Sequence, residues 1–123
     1  MWTHGLAVAC GGAVGALARW LVGMYLPSKG FPWATLFVNV SGSLAFGMLM
    51  AALAVRELMP DELRVFVFAG LLGAFTTFST FSWDTFALFQ QGEPLRALLN
   101  IAANFALCLA AVAGGYTLIN TLK

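Results

Sequence analysis

The sequence predicts an all-α membrane protein of four transmembrane helices, and three observations carry that prediction. Of 123 residues, 61% are hydrophobic and only 9% are charged, with a mean hydropathy of +0.89. Soluble domains carry about 25% charged residues, and one of this composition would expose more apolar surface than water tolerates. The apolar residues also fall into four runs, each near the ~20 residues that a helix needs to cross a ~30 Å hydrocarbon core. Finally, the linkers between the runs are short and marked by Pro and Gly. Four spans take up nearly the whole chain, so residues 1–123 read as a single membrane domain with no room for a soluble catalytic domain. Disorder is excluded because it requires low hydrophobicity and high charge. A nucleic-acid partner is excluded because a net charge of +1 makes no basic patch.

The first run covers about 2–26. It holds Gly11 and Gly15 at GxxxG spacing, where helix backbones can approach closely. Arg19 lies near enough to its end to snorkel toward water. Ala16-Leu17-Ala18 resembles a small-residue cleavage site, but no basic segment precedes it and further apolar runs follow, so the run is read as a retained span. The second run, about 33–55, carries Thr35, Asn39 and Ser43 at i, i+4 and i+8, on one helix face. Gly42 and Gly47 lie among its small residues. The third, about 65–89, is treated below. The fourth, about 95–122, carries Asn100, Asn104 and Cys108 at the same four-residue spacing, and Gly114 and Gly115 further on. Trp2, Trp20, Trp33 and Trp83 lie toward run ends, as an aromatic belt at the membrane interface requires. Cys10 and Cys108 read as small buried residues, and His4 has no second ligand nearby in the sequence, so none of the three suggests a disulfide or a metal site.

Four spans put both termini on one face. That face carries Arg56, Arg64 and Lys123; the other carries Lys29, Arg96 and, near the end of the first span, Arg19. Three against three gives the positive-inside rule no preference. Two topologies fit: a single weakly specified one, or insertion in both orientations with antiparallel pairing of the copies.

The third run holds the strongest signal, Gly73-Ala74-Phe75-Thr76-Thr77-Phe78-Ser79-Thr80-Phe81-Ser82. Thr76, Thr77, Ser79, Thr80 and Ser82 crowd the centre of the span, after Gly70 and Gly73. Irregular backbone at membrane depth is tolerated only where protein or water surrounds it, and the groups it frees can hold ions. This composition predicts a third helix broken at the midplane, around Gly73 to Thr77. The alternative is an intact helix whose hydroxyls bond back to their own carbonyls. Phe75, Phe78 and Phe81 form a stripe, and seven of the eleven phenylalanines fall in this run. Aromatic rings have positive edges and negative faces, and no acidic residue sits deep in the other spans, which favours an anion pathway. The stripes on the second and fourth runs are either interhelical glue, at about 0.6 kcal/mol per hydrogen bond, or the lining of a narrow wet path. The Asn39 amide is a neutral donor suited to a partly dehydrated anion. Arg19 would make an electropositive vestibule. Asp84 reads either as an interfacial carboxylate or as a functional one.

These residues resemble the Fluc (CrcB) family of fluoride channels. The third-run motif resembles the family's third-helix signature. Gly11-Gly12-Ala13-Val14-Gly15 with Arg19-Trp20 resembles its first helix, and Thr35-Leu36-Phe37-Val38-Asn39-Val40-Ser41-Gly42 its second. The resemblance implies a passive fluoride channel of the bacterial inner membrane, a multi-pass antiparallel dual-topology homodimer with two pores. It implies pore residues Phe78, Phe81, Asn39, Ser79 and Thr80, with Asn104 on the fourth-helix track. It also implies a structural Na⁺ at the dimer interface, held by the backbone carbonyls of Gly73 and Thr76 from both subunits. Asn100, Asn104 and Cys108 depart from the hydroxyl or aromatic residues common on that track, and Asp84 stands where a glutamate is common. Two other functions compete. A small dual-topology proton-coupled multidrug exporter would need a carboxylate deep in the membrane, typically in the first span, which has none. A helper subunit of a larger complex would leave the polar stripes as packing. No nucleophile–base pair or metal triad suggests an enzyme.

Overall fold

The computed structural model of the chain describes residues 1–54 and 59–123. Arg56, in the charge count above, and Val55, at the predicted end of the second span, lie outside the described residues. Every regular element described is helical. α1 spans Trp2–Tyr25, α2 Trp33–Ala54, α3 Asp61–Val65, α4 Gly73–Phe75, α5 Phe78–Gln90 and α6 Pro94–Thr121. Between α3 and α4 the helix widens into a π-helical segment, Phe66–Leu72. Among the described residues, four helical stretches are long and apolar enough to cross a membrane: Trp2–Tyr25, Trp33–Leu53, Asp61–Gln90 and Pro94–Thr121.

The boundaries follow local chemistry. α1 stops at Leu26, which is extended (φ −95°, ψ 133°), because the residue before a proline is driven out of the helical region. The third span begins at Asp61, a turn ahead of its apolar run; Asp61 and Glu62 sit at the positive end of that helix. α5 ends where Gly92 takes φ +74°, the left-handed geometry in which the amides of Gln91 and Gly92 reach back to Ala87 and Phe89. Pro94 then opens α6 at a position that needs no amide donor.

Two helix pairs make the bundle. α2 packs most extensively on α6, and α1 on the π-helical segment and α4. The second pair is close because of the GxxxG glycines. A Cβ on Gly11 would fall on the Phe66 carbonyl oxygen, and one on Gly15 on the Leu71 carbonyl oxygen. α1 therefore lies against the backbone of the widened turn. α5 leans on α6 and closes the bundle. The interior holds apolar Leu36, Val38, Leu72, Phe81 and Leu88, and also polar Thr35, Thr77, Thr85, Asn100 and Asn104. Most large apolar side chains point outward, Leu17, Trp20, Phe86, Leu109 and Leu118 among them. That inversion suits a surface solvated by lipid. The reading of the cysteines as buried is corrected: Cys10 is exposed and Cys108 half-buried. Cys10 precedes Gly11, so it points away from the face of α1 that meets the third span.

Candidate functional site

The site is built around Thr76 and Thr77, which separate α4 from α5. Both are extended, Thr76 at φ −83°, ψ 156° and Thr77 at φ −152°, ψ 113°. Thr77 is the N-cap of α5: its Oγ1 accepts from the Thr80 amide at 3.1 Å. Its hydroxyl also lies 3.0 Å from Thr80 Oγ1 and 3.2 Å from Ser79 Oγ. From α2, Asn39 grips the same peptide on both sides. The Thr77 amide donates to Asn39 Oδ1 at 2.8 Å, and Asn39 Nδ2 donates to the Thr77 carbonyl at 3.2 Å.

These side chains change what the backbone offers. In an unbroken helix the Thr77 amide would donate to the Gly73 carbonyl and the Thr80 amide to the Thr76 carbonyl. Here Asn39 and the Thr77 hydroxyl take those donors. The Gly73 and Thr76 carbonyls are thereby released from the helical ladder. Nearby, Arg19 Nε donates to the Ala74 carbonyl at 3.0 Å, so the guanidinium caps the C-terminal end of α4 from α1. The Thr76 hydroxyl bonds back to the Leu72 carbonyl at 3.0 Å.

Asn39 Nδ2 also donates to Asn104 Oδ1 at 3.0 Å. Asn104 Nδ2 in turn faces the Asn100 main-chain and side-chain oxygens at 2.9 and 3.0 Å. Asn100 Nδ2 donates to Thr85 Oγ1 at 3.0 Å, and Thr85 Oγ1 donates to the Phe81 carbonyl at 2.8 Å. Among the described residues no buried side-chain nitrogen or oxygen lacks a partner. Separately, Thr35 Oγ1 donates to Asp84 Oδ2 at 2.7 Å.

Thr77 lies between two grooves. One, of about 640 Å³, is lined by Asn39, Gly73, Thr76, Phe78, Phe81 and Asn104, with Phe105 and Cys108 at its side. The other, of about 510 Å³, is lined by Arg19, Trp20, Thr35 and Thr80. The sequence-predicted residues are thus divided. Phe78, Phe81, Asn39, Asn104, Gly73 and Thr76 meet in the first groove; Arg19 and Thr80 meet in the second; Ser79 lines neither. Phe78 is 71% exposed and Phe81 only 5%, although their ring centroids are 5.3 Å apart at an interplanar angle of 50°. Phe81 is held by an edge-on contact with Phe105 at 6.1 Å. Sequence reasoning passed over Phe105, Thr85 and the Ala74 carbonyl. Thr85 carried a signal, a hydroxyl one turn after Phe81 on the face that meets Asn100; Ala74 carried none, since its part is played by its backbone.

Residues 6–116 match the family described as CrcB-like protein, Camphor Resistance (CrcB). The chain is 43% identical over 125 residues, covering 98% of each chain, to the protein of Nitrobacter winogradskyi named fluoride-specific ion channel FluC. It is 49% identical over 113 residues to the protein of that name from Geobacter sulfurreducens, covering 89% of this chain and 91% of the relative. The Idiomarina loihiensis protein of that name is 47% identical over 121 residues, at 96% and 93% coverage. The chain belongs to the CrcB-like family; it is a multi-pass membrane protein and not an enzyme.

Proposed function

From that membership we propose that the chain is a passive fluoride-selective channel, working in the bacterial inner membrane as an antiparallel homodimer with two pores. The observation that carries the reading is the groove at Thr77. It sets two phenyl rings beside an interrupted helix, and among the described residues no acidic side chain lines it. The similar proteins of Nitrobacter, Geobacter and Idiomarina bear the name of a fluoride-specific ion channel, which supports fluoride as the ion carried.

Fluoride is small and strongly hydrated, so a selective path must replace the water it sheds. Ring edges carry positive potential, and Phe78 and Phe81 present two rings to one groove. The hydroxyls of Ser79 and Thr80 support the path from behind, within hydrogen-bond distance of the Thr77 hydroxyl, and Thr80 lines the Arg19 groove. Arg19 makes the neighbouring groove electropositive, a vestibule that gathers anions. Phe78 is exposed on one subunit, so the pore wall it begins is completed by a second copy. Chloride is larger and fits poorly in a path walled by Phe78 and Phe81.

The third span acts in this reading as two helices around a midplane interruption. A Na⁺ at the dimer interface fits the released Gly73 and Thr76 carbonyls, since hard cations take oxygen ligands and unwound helices supply them. Two carbonyls from each subunit would hold it, and the ion would offset the dipoles of oxygens that have lost their helical donors.

Fluoride release from liposomes containing only the purified protein tests the proposal. With valinomycin clearing the K⁺ counter-charge, a fluoride electrode should record rapid release, and chloride-loaded vesicles should retain their chloride. Release no faster than from empty liposomes, with folded protein, would sink the channel reading and bring forward an exporter or helper role.

A further inference from the structure

We propose that Asn39, Asn104, Asn100 and Thr85 form a one-way hydrogen-bond relay that holds the interrupted backbone at Thr77, and that the two fourth-helix asparagines are positioning residues, not anion donors. The inference rests on the channel reading and concerns how its pore is held in shape.

The direction of the relay follows from its two ends. The Thr77 amide can only donate, so Asn39 must turn its oxygen toward it. Asn39 Nδ2 is then committed to the Thr77 carbonyl and to Asn104 Oδ1. A primary amide has two N–H bonds, and here two acceptors meet them. Asn104 must therefore turn its nitrogen toward the Asn100 oxygens, one of which is a main-chain carbonyl that can only accept. Asn100 passes a donor to Thr85, and Thr85 ends the chain on the Phe81 carbonyl, again an acceptor only. Reversing Asn39 or Asn104 would set donor against donor on one side and oxygen against oxygen on the other, and reversing Asn100 would set its N–H groups against those of Asn104.

The relay leaves the third span at Thr77, crosses α2 and α6, and returns to the third span at Phe81. It ties the interruption to the backbone of the buried pore ring. Asn100 is fully buried, and Asn104 and Thr85 are 5% and 8% exposed. Thr85 lines neither groove. An anion in the groove could recruit the Asn39 N–H groups only by taking them from the Thr77 carbonyl or from Asn104. In a buried site that leaves another polar group without its partner.

Thr85 gives the decisive variant, because it belongs to the relay but is remote from the path. Thr85→Val keeps the shape of the side chain and removes only the hydroxyl. The relay predicts that Thr85→Val lowers the initial fluoride release rate by about tenfold and speeds hydrogen exchange at the Thr77 backbone amide. Thr85→Ser, which keeps the hydroxyl, should restore both. Wild-type release and exchange in folded Thr85→Val would overturn the relay. A second measurement needs no variant: in wild-type protein, the side-chain amide proton signals of Asn104 and Asn100 should not move on fluoride titration. A saturable shift of the Asn104 amide would assign it as a direct donor and overturn the proposal. A wild type that carries no fluoride would sink the channel reading instead, and the Thr77 exchange rates would still decide whether the relay exists.

Discussion

Asn39 reads differently once its neighbours are known. As a lone amide among apolar residues it suggests a donor aimed at an ion, but in the fold its oxygen takes the Thr77 amide and its nitrogen has two protein acceptors. Asn39→Asp should therefore be severe. The carboxylate still accepts from Thr77, yet its second oxygen faces the Thr77 carbonyl and Asn104 Oδ1. Leaving such buried groups unpaired costs about 1–3 kcal/mol, and the expected result is a lower thermal midpoint together with loss of fluoride release. The two phenylalanines should separate in the same assays. Phe81 is buried against Phe105 and Phe78 is exposed. Both Phe78→Ile and Phe81→Ile should reduce flux, but Phe81→Ile should lower thermal stability more, since it loses the buried pair with Phe105 as well as the pair with Phe78, at about 0.5–1.5 kcal/mol per pair. Unchanged flux in Phe78→Ile would count against its place in the pore.

The third span shows how a helix is made irregular without a proline. The hydroxyl-rich stretch pointed to Gly73 through Thr77, but Gly73 has helical angles (φ −62°, ψ −37°), and extended backbone is confined to Thr76 and Thr77. Glycine permits irregular backbone without requiring it; the Thr76 amide keeps its helical bond to the Leu72 carbonyl, and the ladder is interrupted because Asn39 takes the Thr77 amide and the Thr77 hydroxyl takes the Thr80 amide. The π-helical turn just before was not legible, since nothing in Phe66-Val67-Phe68-Ala69-Gly70-Leu71-Leu72 distinguishes a wide turn from an ordinary one. Its partner surface was legible, as GxxxG in α1. Gly15→Val should keep α1 off the Leu71 carbonyl and yield protein that aggregates on size exclusion. Gly12→Ala is the control: a Cβ there meets nothing within 4 Å, and the variant should behave as wild type.

As a whole the molecule turns large apolar side chains outward and keeps a polar seam inside, the arrangement expected where lipid, not water, is the surrounding solvent. The balance of three basic residues against three says nothing of fold, but it bears on assembly. If copies insert both ways, adding two lysines after Lys123 should bias the chain toward one orientation. Fluoride release should then fall, and co-expression with a copy biased the opposite way should restore it. Undiminished release from a single-orientation population, established by labelling the termini from one side, would refute antiparallel pairing.

The four long apolar helices and the membrane setting could be read from the order of residues, because transfer into hydrocarbon is a sum over local side chains and each helix satisfies its own backbone. The motif around Thr77 was equally visible, since its crowding of hydroxyls is a property of one short segment. The roles inside the site were not. Asn39 meets Thr77 across 38 positions of chain and Asn104 across 65, and an amide can donate or accept until its partners are fixed. Only the packing of α2 and α6 against the third span supplies those partners, and with them the direction of every hydrogen bond from Thr77 to Phe81.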